Sequence, residues 1–451
     1  MHTSTALLTD MYELTMLEST LASGAANRAS VFEVFARRLP SGRRYGVVAG
    51  TGRILSALRD FTFSAEEIDY LREANIVSES TLNWLADFRF SGDIYGYAEG
   101  ECYFPHSPVL TITGTFAECV LLETLVLSIL NHDSAIASAA SRMTSAAHGR
   151  PCLDMGARRT HERSAVAAAR AAIVGGFAGT SLLEAGRSFD IKAIGTAAHS
   201  FTLVHDDEEA AFAAQVATMG PGTTLLVDTY DVPRGVERAV AAARAAGGEL
   251  GAVRLDSGDL VAQAFKVRQQ LDELGATSTK ITVTSDLDEY AIAALGAAPV
   301  DAYGVGTRLV TGSGFPTAEF VYKLVARENS EGVVQEVEKK SASKSSHGGL
   351  KVAGRVCDEG GVAREELVVS CRDFEQGRDY LAKAGARPLQ VHLVAGGEII
   401  ADPDLAEVAA RHVSSRAELP YAAWRLSAGD AELPTKLVDI YAGDDNPHQG
   451  A

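Results

Sequence analysis

Cysteine is scarce: five residues in 451, at positions 102, 119, 152, 357 and 371, with no CxxC pair. That excludes a disulfide framework and a cysteine-based zinc site, and it fits reduced thiols in a cytoplasmic protein. Cations are also in deficit, with 41 Lys+Arg against 59 Asp+Glu and a formal net charge of −18. Nucleic acid and anionic membrane surfaces both need a cationic patch, so neither is an expected partner. An anionic small molecule is not excluded, since its site needs only a few local cations and backbone N–H groups. Long apolar runs are missing as well. No stretch reaches the ~18 residues of a membrane helix, and the longest candidate, CVLLETLVLSILN, carries Glu123 in its middle. Asp10 and Glu13 interrupt the N-terminal segment before a signal-peptide core can build up, so the expectation is a soluble, cytoplasmic protein. Apart from His199, the histidines show no i,i+4 metal spacing.

What is present is an ordinary globular composition, 46% hydrophobic and 22% charged. The length allows two or three domains, or one decorated barrel. Residues 7–22 read as a helix, with Leu8, Met11, Tyr12 and Thr15 on one stripe and Thr9 or Asp10 as its cap. Residues 29–37 read as a strand and 92–117 as short strands broken by Gly and Pro. Residues 117–147 read as one long helix, apolar around most of its circumference and therefore buried. The middle carries the clearest pattern. Short apolar strands in TLLVDT (224–229), GAVRLDSGD (251–259), ITVTSD (281–286) and DAYGVGT (301–307) each run into Asp, Ser, Thr or Gly. Alanine-rich helices at 234–246, 258–274 and 287–296 alternate with them. IKAIGT (191–196) and the segment before it fit as earlier members of the series. This is the βα rhythm of a parallel sheet. In such folds the carboxyl ends of the strands carry the active site. IGTAAHS, RLDSGD, VTSDLDE and YGVGT should therefore open onto one face. Beyond residue 325 the rhythm stops. Residues 336–351 read as a Lys/Ser/Gly-rich loop, VHLVAG as a strand, DLAEVAARHV as a helix and the final YAGDDNPHQGA as a frayed tail.

Each strand end supports two readings from its residues alone. His199 is either a hydrogen-bonded structural histidine or a functional one, with room for a ligand left by the Gly, Ala and Ser around it. Arg254 and Asp256 share a strand face and form either an ion pair or part of a site. Ser257 and Asp259 fit a capping cluster. Ser285, Asp286 and Asp288 either cap the next helix or hold ribose hydroxyls or Mg²⁺. Gly304, Gly306 and Thr307 form either a tight turn or a phosphate cradle. Arg158 and Arg159 are either a solvated pair or a fork for carboxylate or phosphate. Lys339, Lys340 and Lys344 either cap phosphates or are surface charge.

Taken together, LLTDMYELTM, ETLVLSILNHDSAIASAASRM, GARRTHERSA, GGFAGTS, IGTAAHSF, VRLDSGDL, SDLDE, GVGTRLVT and KKSASKSSHGG follow the order and approximate spacing of the nicotinate phosphoribosyltransferases. The sequence resembles that family from about residue 7 to 351. The resemblance implies a type II phosphoribosyltransferase fold: an irregular α/β barrel plus a smaller α+β domain built from N-terminal and late segments. The corresponding division is 1–120 and 326–451 for the smaller domain and 121–325 for the barrel. It implies coupling of nicotinate to 5-phosphoribosyl-1-pyrophosphate, giving nicotinate mononucleotide and pyrophosphate for NAD salvage. ATP is the implied co-substrate, and Mg²⁺ is held mainly through substrate phosphates.

Residue by residue, His199 matches the family's phosphoryl acceptor, and Arg254 and Asp256 match residues lining base and ribose. Asp10, Tyr12, Met155, Arg158, Thr180 and Ser181 match the nicotinate site. Asp10 and Tyr12 come from the N-terminal helix, which in relatives completes the site of the other subunit of a homodimer. Ser285 and Asp286 match the ribose loop, and Gly304, Gly306 and Thr307 the 5′-phosphate loop, with Lys339 and Lys344 reaching phosphates. Relatives carry Phe-Gly-x-Arg where this sequence has Met155-Gly-Ala-Arg158, so a thioether replaces a stacking ring. Ser181 stands where nicotinamide-using relatives carry an acid, and a neutral residue there suits a carboxylate substrate. The alternatives are a nicotinamide- or quinolinate-using relative and, more remotely, a phosphosugar barrel enzyme of another class. That last reading predicts a strand-end Schiff-base lysine, whereas these strand ends offer Asp, Arg, Ser and His.

Overall fold

The structure is a computed structural model describing residues 4–339, 347–402 and 404–441. Lys340, Lys344 and most of the C-terminal tail lie outside these residues. The chain divides into two compact units, one formed by Met1–Ala135 with Thr317–Ala451 and the other by Ile136–Pro316. The end segments thus share one unit, but that unit is the larger of the two. The first boundary falls inside the helix Glu123–Ala146 rather than ahead of it. The helical pattern continues through this point, so it gives no sign of such a boundary.

In the first unit, seven antiparallel strands run in the spatial order Val334–Glu336, Phe320–Glu328, Ala29–Ala36, Leu110–Thr115, Asp93–Tyr97, Gln390–Ala395 and Glu398–Ile399. A second sheet is built on the Leu350–Cys357 and Ala363–Cys371 hairpin. The expected N-terminal helix is Met11–Ser23, which buries Leu14 and Leu17 and stops at Gly24, whose φ of +78° suits a left-handed cap. The expected single helix over 117–147 is two helices, Phe116–Val120 and Glu123–Ala146. Both starts are held by carboxylates. Thr115 and Glu118 form a capping box at the first. Glu13, fully buried, accepts the Thr124 N–H at 3.0 Å and the Thr124 hydroxyl at the second, and also the Thr9 hydroxyl. The interruption therefore anchors the N-terminal helix to the long one.

The second unit carries five parallel strands in the order Cys152–Asp154, Ala302–Val305, Lys280–Val283, Ala252–Leu255 and Thr224–Leu226. Isolated parallel bridges, Asp154 to Thr180 and Thr180 to Ala193, extend this array. IKAIGT was expected as a strand, but it pairs only locally, through Thr180 N to Lys192 O at 3.1 Å and Ile194 N to Thr180 O at 2.9 Å. Past Ile194 the chain leaves the array and enters the helix His199–Leu203. The helices Val232–Ala245, Leu260–Glu273 and Glu289–Ala294 alternate with the strands, each capped by an aspartate: Asp231, Asp259 and Asp288. Among the described residues, no helix is long and apolar enough to cross a membrane.

Burial pushes the Glu13 carboxyl up from 4.5 to about 7, against the pull of its bonds from Thr124 and Thr9. Folding therefore favours the protonated form. The penalty is absent below the ordinary carboxylate value, grows as pH rises through 4.5 to 7 and is complete above that. Relative to wild type, Glu13→Gln should gain stability over this window, by up to about 3 kcal/mol. Urea unfolding at pH 5 and pH 8 measures it, and a pH-independent difference would contradict it.

Candidate active site

The ends of three strands of the second unit and the loop that follows Ile194 deliver their polar residues to one region. His199 opens the helix His199–Leu203, with its side chain 39% exposed. Its Nδ1 lies 3.1 Å from the Thr229 hydroxyl. Its Nε2 lies 3.9 Å from Asp228 Oδ1 and 3.9 Å from Asp256 Oδ2. The Asp228 side chain is only 1% exposed. Its Oδ2 accepts the backbone N–H of Asp256 at 2.8 Å and the Ser257 hydroxyl at 2.9 Å. Its Oδ1 has no hydrogen-bond partner among the described residues and is the oxygen that faces the imidazole. Asp256 in turn accepts from the Thr284 hydroxyl.

Arg254 is not in a tight ion pair with Asp256, since Nη2 stands 4.0 Å from the carboxylate. Its Nη1 instead donates to the Thr196 hydroxyl at 3.0 Å and to the Ala197 carbonyl at 3.1 Å. The guanidinium thus fixes the loop that carries His199. Burial lowers the Arg254 pKa, the charges of Asp256 and Asp228 oppose that, and nearby Arg158 adds to it. Arginine keeps its charge regardless, so the cation is retained where an anionic ligand would benefit from it.

The expected carboxylates fall into two classes. Asp259 and Asp288 are helix caps, so the capping reading holds for them. Asp256 and Asp286 do not cap, nor does Asp228, which sequence reading did not single out, and Asp286 is exposed. Ser285, beside it, has a φ of +128°, a left-handed value uncommon for a side-chain-bearing residue. Gly304 corrects the loop expectation. It lies inside the strand Ala302–Val305, and a Cβ there would stand 2.5 Å from Thr284 Cγ2 and 2.7 Å from Met155 Sδ. Its role is close packing, and only Gly306 and Thr307 lie at the turn into the short helix Thr307–Val310.

Thr180 also departs from expectation. It is fully buried, and its hydroxyl donates to Asp154 Oδ2 at 2.7 Å while accepting the Leu182 N–H at 3.1 Å. A side chain so engaged does not face a ligand, whereas the neighbouring Ser181 is exposed. Arg158 sits exposed on the turn Ala157–Arg159, and Met155 is half-buried against Gly304. Asp228, Thr229, Asp154 and Thr284 escaped sequence reading. TLLVDT did place Asp228 and Thr229 at a strand end, which was the available signal. Asp10, Tyr12 and Lys339 belong to the other unit. There Asp10 occupies the N-cap position of Met11–Ser23, Tyr12 is 44% exposed, and Lys339 is exposed. Burial and a hydrogen bond to Glu123 raise the Tyr12 phenol pKa. Among the described residues, no three His, Cys, Asp or Glu side chains cluster as a metal site.

An α/β unit whose parallel strands gather an imidazole, carboxylates and an arginine at their carboxyl ends belongs to the class of folds that place their ligand sites there. The chain belongs to the nicotinate phosphoribosyltransferase family of enzymes. The family's N-terminal domain profile matches residues 7–131, and the nicotinate phosphoribosyltransferase family profile matches residues 151–359. The chain is 55% identical over 440 residues to nicotinate phosphoribosyltransferase pncB1 of Mycobacterium tuberculosis, covering 96% of this chain and 95% of that one. It is 37% identical over 331 residues to the nicotinate phosphoribosyltransferase of Bacillus subtilis, covering 72% and 67%. The human nicotinic acid phosphoribosyltransferase shares the fold, with a TM-score of 0.82 at 23% identity over 96% of this chain and 98% of that one.

Gly304→Ala should destabilise the second unit by about 1–3 kcal/mol, because its methyl must displace Met155 and Thr284. A thermal melt lowered by several degrees is expected, and an unchanged melt would contradict the packing role.

Proposed function

We propose that this enzyme couples nicotinate to 5-phosphoribosyl-1-pyrophosphate, forming nicotinate mononucleotide and pyrophosphate, with ATP phosphorylating His199. The observation that carries the reading is the imidazole held between Thr229, Asp228 and Asp256 beside Arg254. The pyridine nitrogen attacks the ribose C1 as the bond to pyrophosphate breaks, through an oxocarbenium-like transition state. The protein's work is positioning and charge stabilisation. In the coupled step the terminal phosphoryl of ATP passes to an imidazole nitrogen and ADP leaves. Imidazole is a competent phosphoryl acceptor near neutral pH. Arg254 and Arg158 supply positive charge for the anionic substrates. A Mg²⁺ would be held mainly by substrate phosphates and would neutralise the departing diphosphate; Asp228 and Asp256, both facing His199, would be the carboxylates of this face able to assist it. A neutral, exposed Ser181 favours nicotinate over nicotinamide.

The parallel array, extended by the bridges at Thr180 and Ala193, is read as an irregular barrel of the type II phosphoribosyltransferase kind. The active form is read as a homodimer in which Asp10 and Tyr12 of one subunit serve the other's site. Exposed Leu8 and Met11 beside them, at 60% and 59%, support burial against a partner. A cytoplasmic location agrees with the free cysteines.

The test supplies purified protein with phosphoribosyl pyrophosphate and Mg²⁺, offering nicotinate or nicotinamide, each with and without ATP. Nicotinate mononucleotide should form and ATP should raise its yield; no product under any condition overturns the function. His199→Ala should abolish the ATP stimulation, and unchanged stimulation would overturn its role as phosphoryl acceptor.

A further inference from the structure

One buried carboxylate near the nicotinate-side residues takes no part in the chemistry described above. Asp154 ends the strand Cys152–Asp154 and is 1% exposed. A carboxylate so buried is costly unless its oxygens are satisfied. Each of them is, and each by a different loop. Oδ1 accepts the Gly156 N–H at 2.8 Å, which fixes the turn leading from Met155 to Arg158. Oδ2 accepts the Thr180 hydroxyl at 2.7 Å, and that hydroxyl accepts the Leu182 N–H at 3.1 Å. The Asp154 carbonyl also accepts the Ser181 N–H, at 2.8 Å. Met155 is held separately, through its N–H to the Val305 carbonyl at 2.8 Å.

The two loops clipped together are those of Met155–Arg158 and Ser181. We propose that Asp154 is the positioning residue for nicotinate recognition: one carboxylate, with one oxygen per loop, sets the gap between the Met155–Arg158 turn and Ser181. The proposal rests on the reading that these residues line the nicotinate subsite. Asp154 does not touch the substrate in this account and acts through the loops it joins. Burial raises its pKa, and only the bonds from Thr180 and Gly156 oppose that. This agrees with a group held by hydrogen bonds and not by a counter-ion. It also explains why Thr180 is buried although the sequence places it beside the pyridine.

Asp154→Asn, Asp154→Ala and Thr180→Val test this, with equilibrium binding and steady-state kinetics for each substrate. Asparagine keeps an acceptor for Gly156 but cannot take the Thr180 hydroxyl proton in the same way. Valine leaves Asp154 in place but removes the Thr180 hydroxyl, and with it both the bond to Asp154 and the acceptor of the Leu182 N–H. The expected result is a nicotinate affinity weakened about tenfold in Asp154→Asn and Thr180→Val and further in Asp154→Ala. Affinity for phosphoribosyl pyrophosphate should stay within about twofold, as fits a loss confined to one subsite. Equal weakening for both substrates, an unchanged nicotinate affinity, or loss of folding in all three variants would overturn the proposal. If only the Asp154 variants fail to fold, Thr180→Val decides. A wild-type enzyme that forms no nicotinate mononucleotide would instead overturn the function on which the proposal rests.

Discussion

The carboxylate of Asp228 sets the geometry on which the strand-end face depends. One oxygen is committed to the Asp256 N–H and the Ser257 hydroxyl, and this fixes the turn after the Ala252–Leu255 strand. The other has no hydrogen-bond partner among the described residues and lies 3.9 Å from His199 Nε2. Burying an ion costs several kcal/mol, and two charge-assisted hydrogen bonds return about 1.5–3 kcal/mol each. The remaining oxygen is where that balance stays open, on the side of the imidazole. Thr229, next in the chain, holds the opposite ring nitrogen. The position and orientation of His199 thus follow from two consecutive residues at the end of the Thr224–Leu226 strand.

Arg254 complements this arrangement from the neighbouring strand. It ties down the Thr196 hydroxyl and the Ala197 carbonyl and so positions the approach to His199 without using up its charge in a close pair. The same device recurs elsewhere in the molecule. Asp154 joins two loops through two oxygens, and Glu13 joins the N-terminal helix to the start of Glu123–Ala146. In each case a buried carboxylate accepts from backbone N–H and hydroxyl groups, which fixes a loop or helix end more narrowly than apolar contact would.

Much of the second unit was legible because its signals are local. Short apolar strands ending in polar residues, alternating with alanine-rich helices, recur at a nearly constant interval, and four of the five parallel strands, from Thr224–Leu226 to Ala302–Val305, follow that pattern, whereas Cys152–Asp154 stands apart from it. Aspartates that cap helices and aspartates that hold loops look alike in sequence. Only the fold separates Asp259 and Asp288, which cap, from Asp228 and Asp256, which face His199. Gly304 read as a loop glycine because GxG suits a turn, yet the lack of a Cβ serves Met155 and Thr284. IKAIGT has a strand's alternation but only the Thr180 segment to pair with. The break at Leu121–Leu122 was hidden inside a largely apolar run, and the carboxylate that holds the new helix start, Glu13, is more than a hundred residues away in sequence. What local pattern supplies was readable; what depends on a distant carboxylate was not.

The account turns on His199 receiving a phosphoryl group at the face organised by Asp228, and direct labelling tests it most closely. Protein incubated with ATP labelled in its terminal phosphate, then digested under alkaline conditions, should yield acid-labile, base-stable label on the peptide containing His199. Absence of label, or label that persists in His199→Ala, would contradict the account.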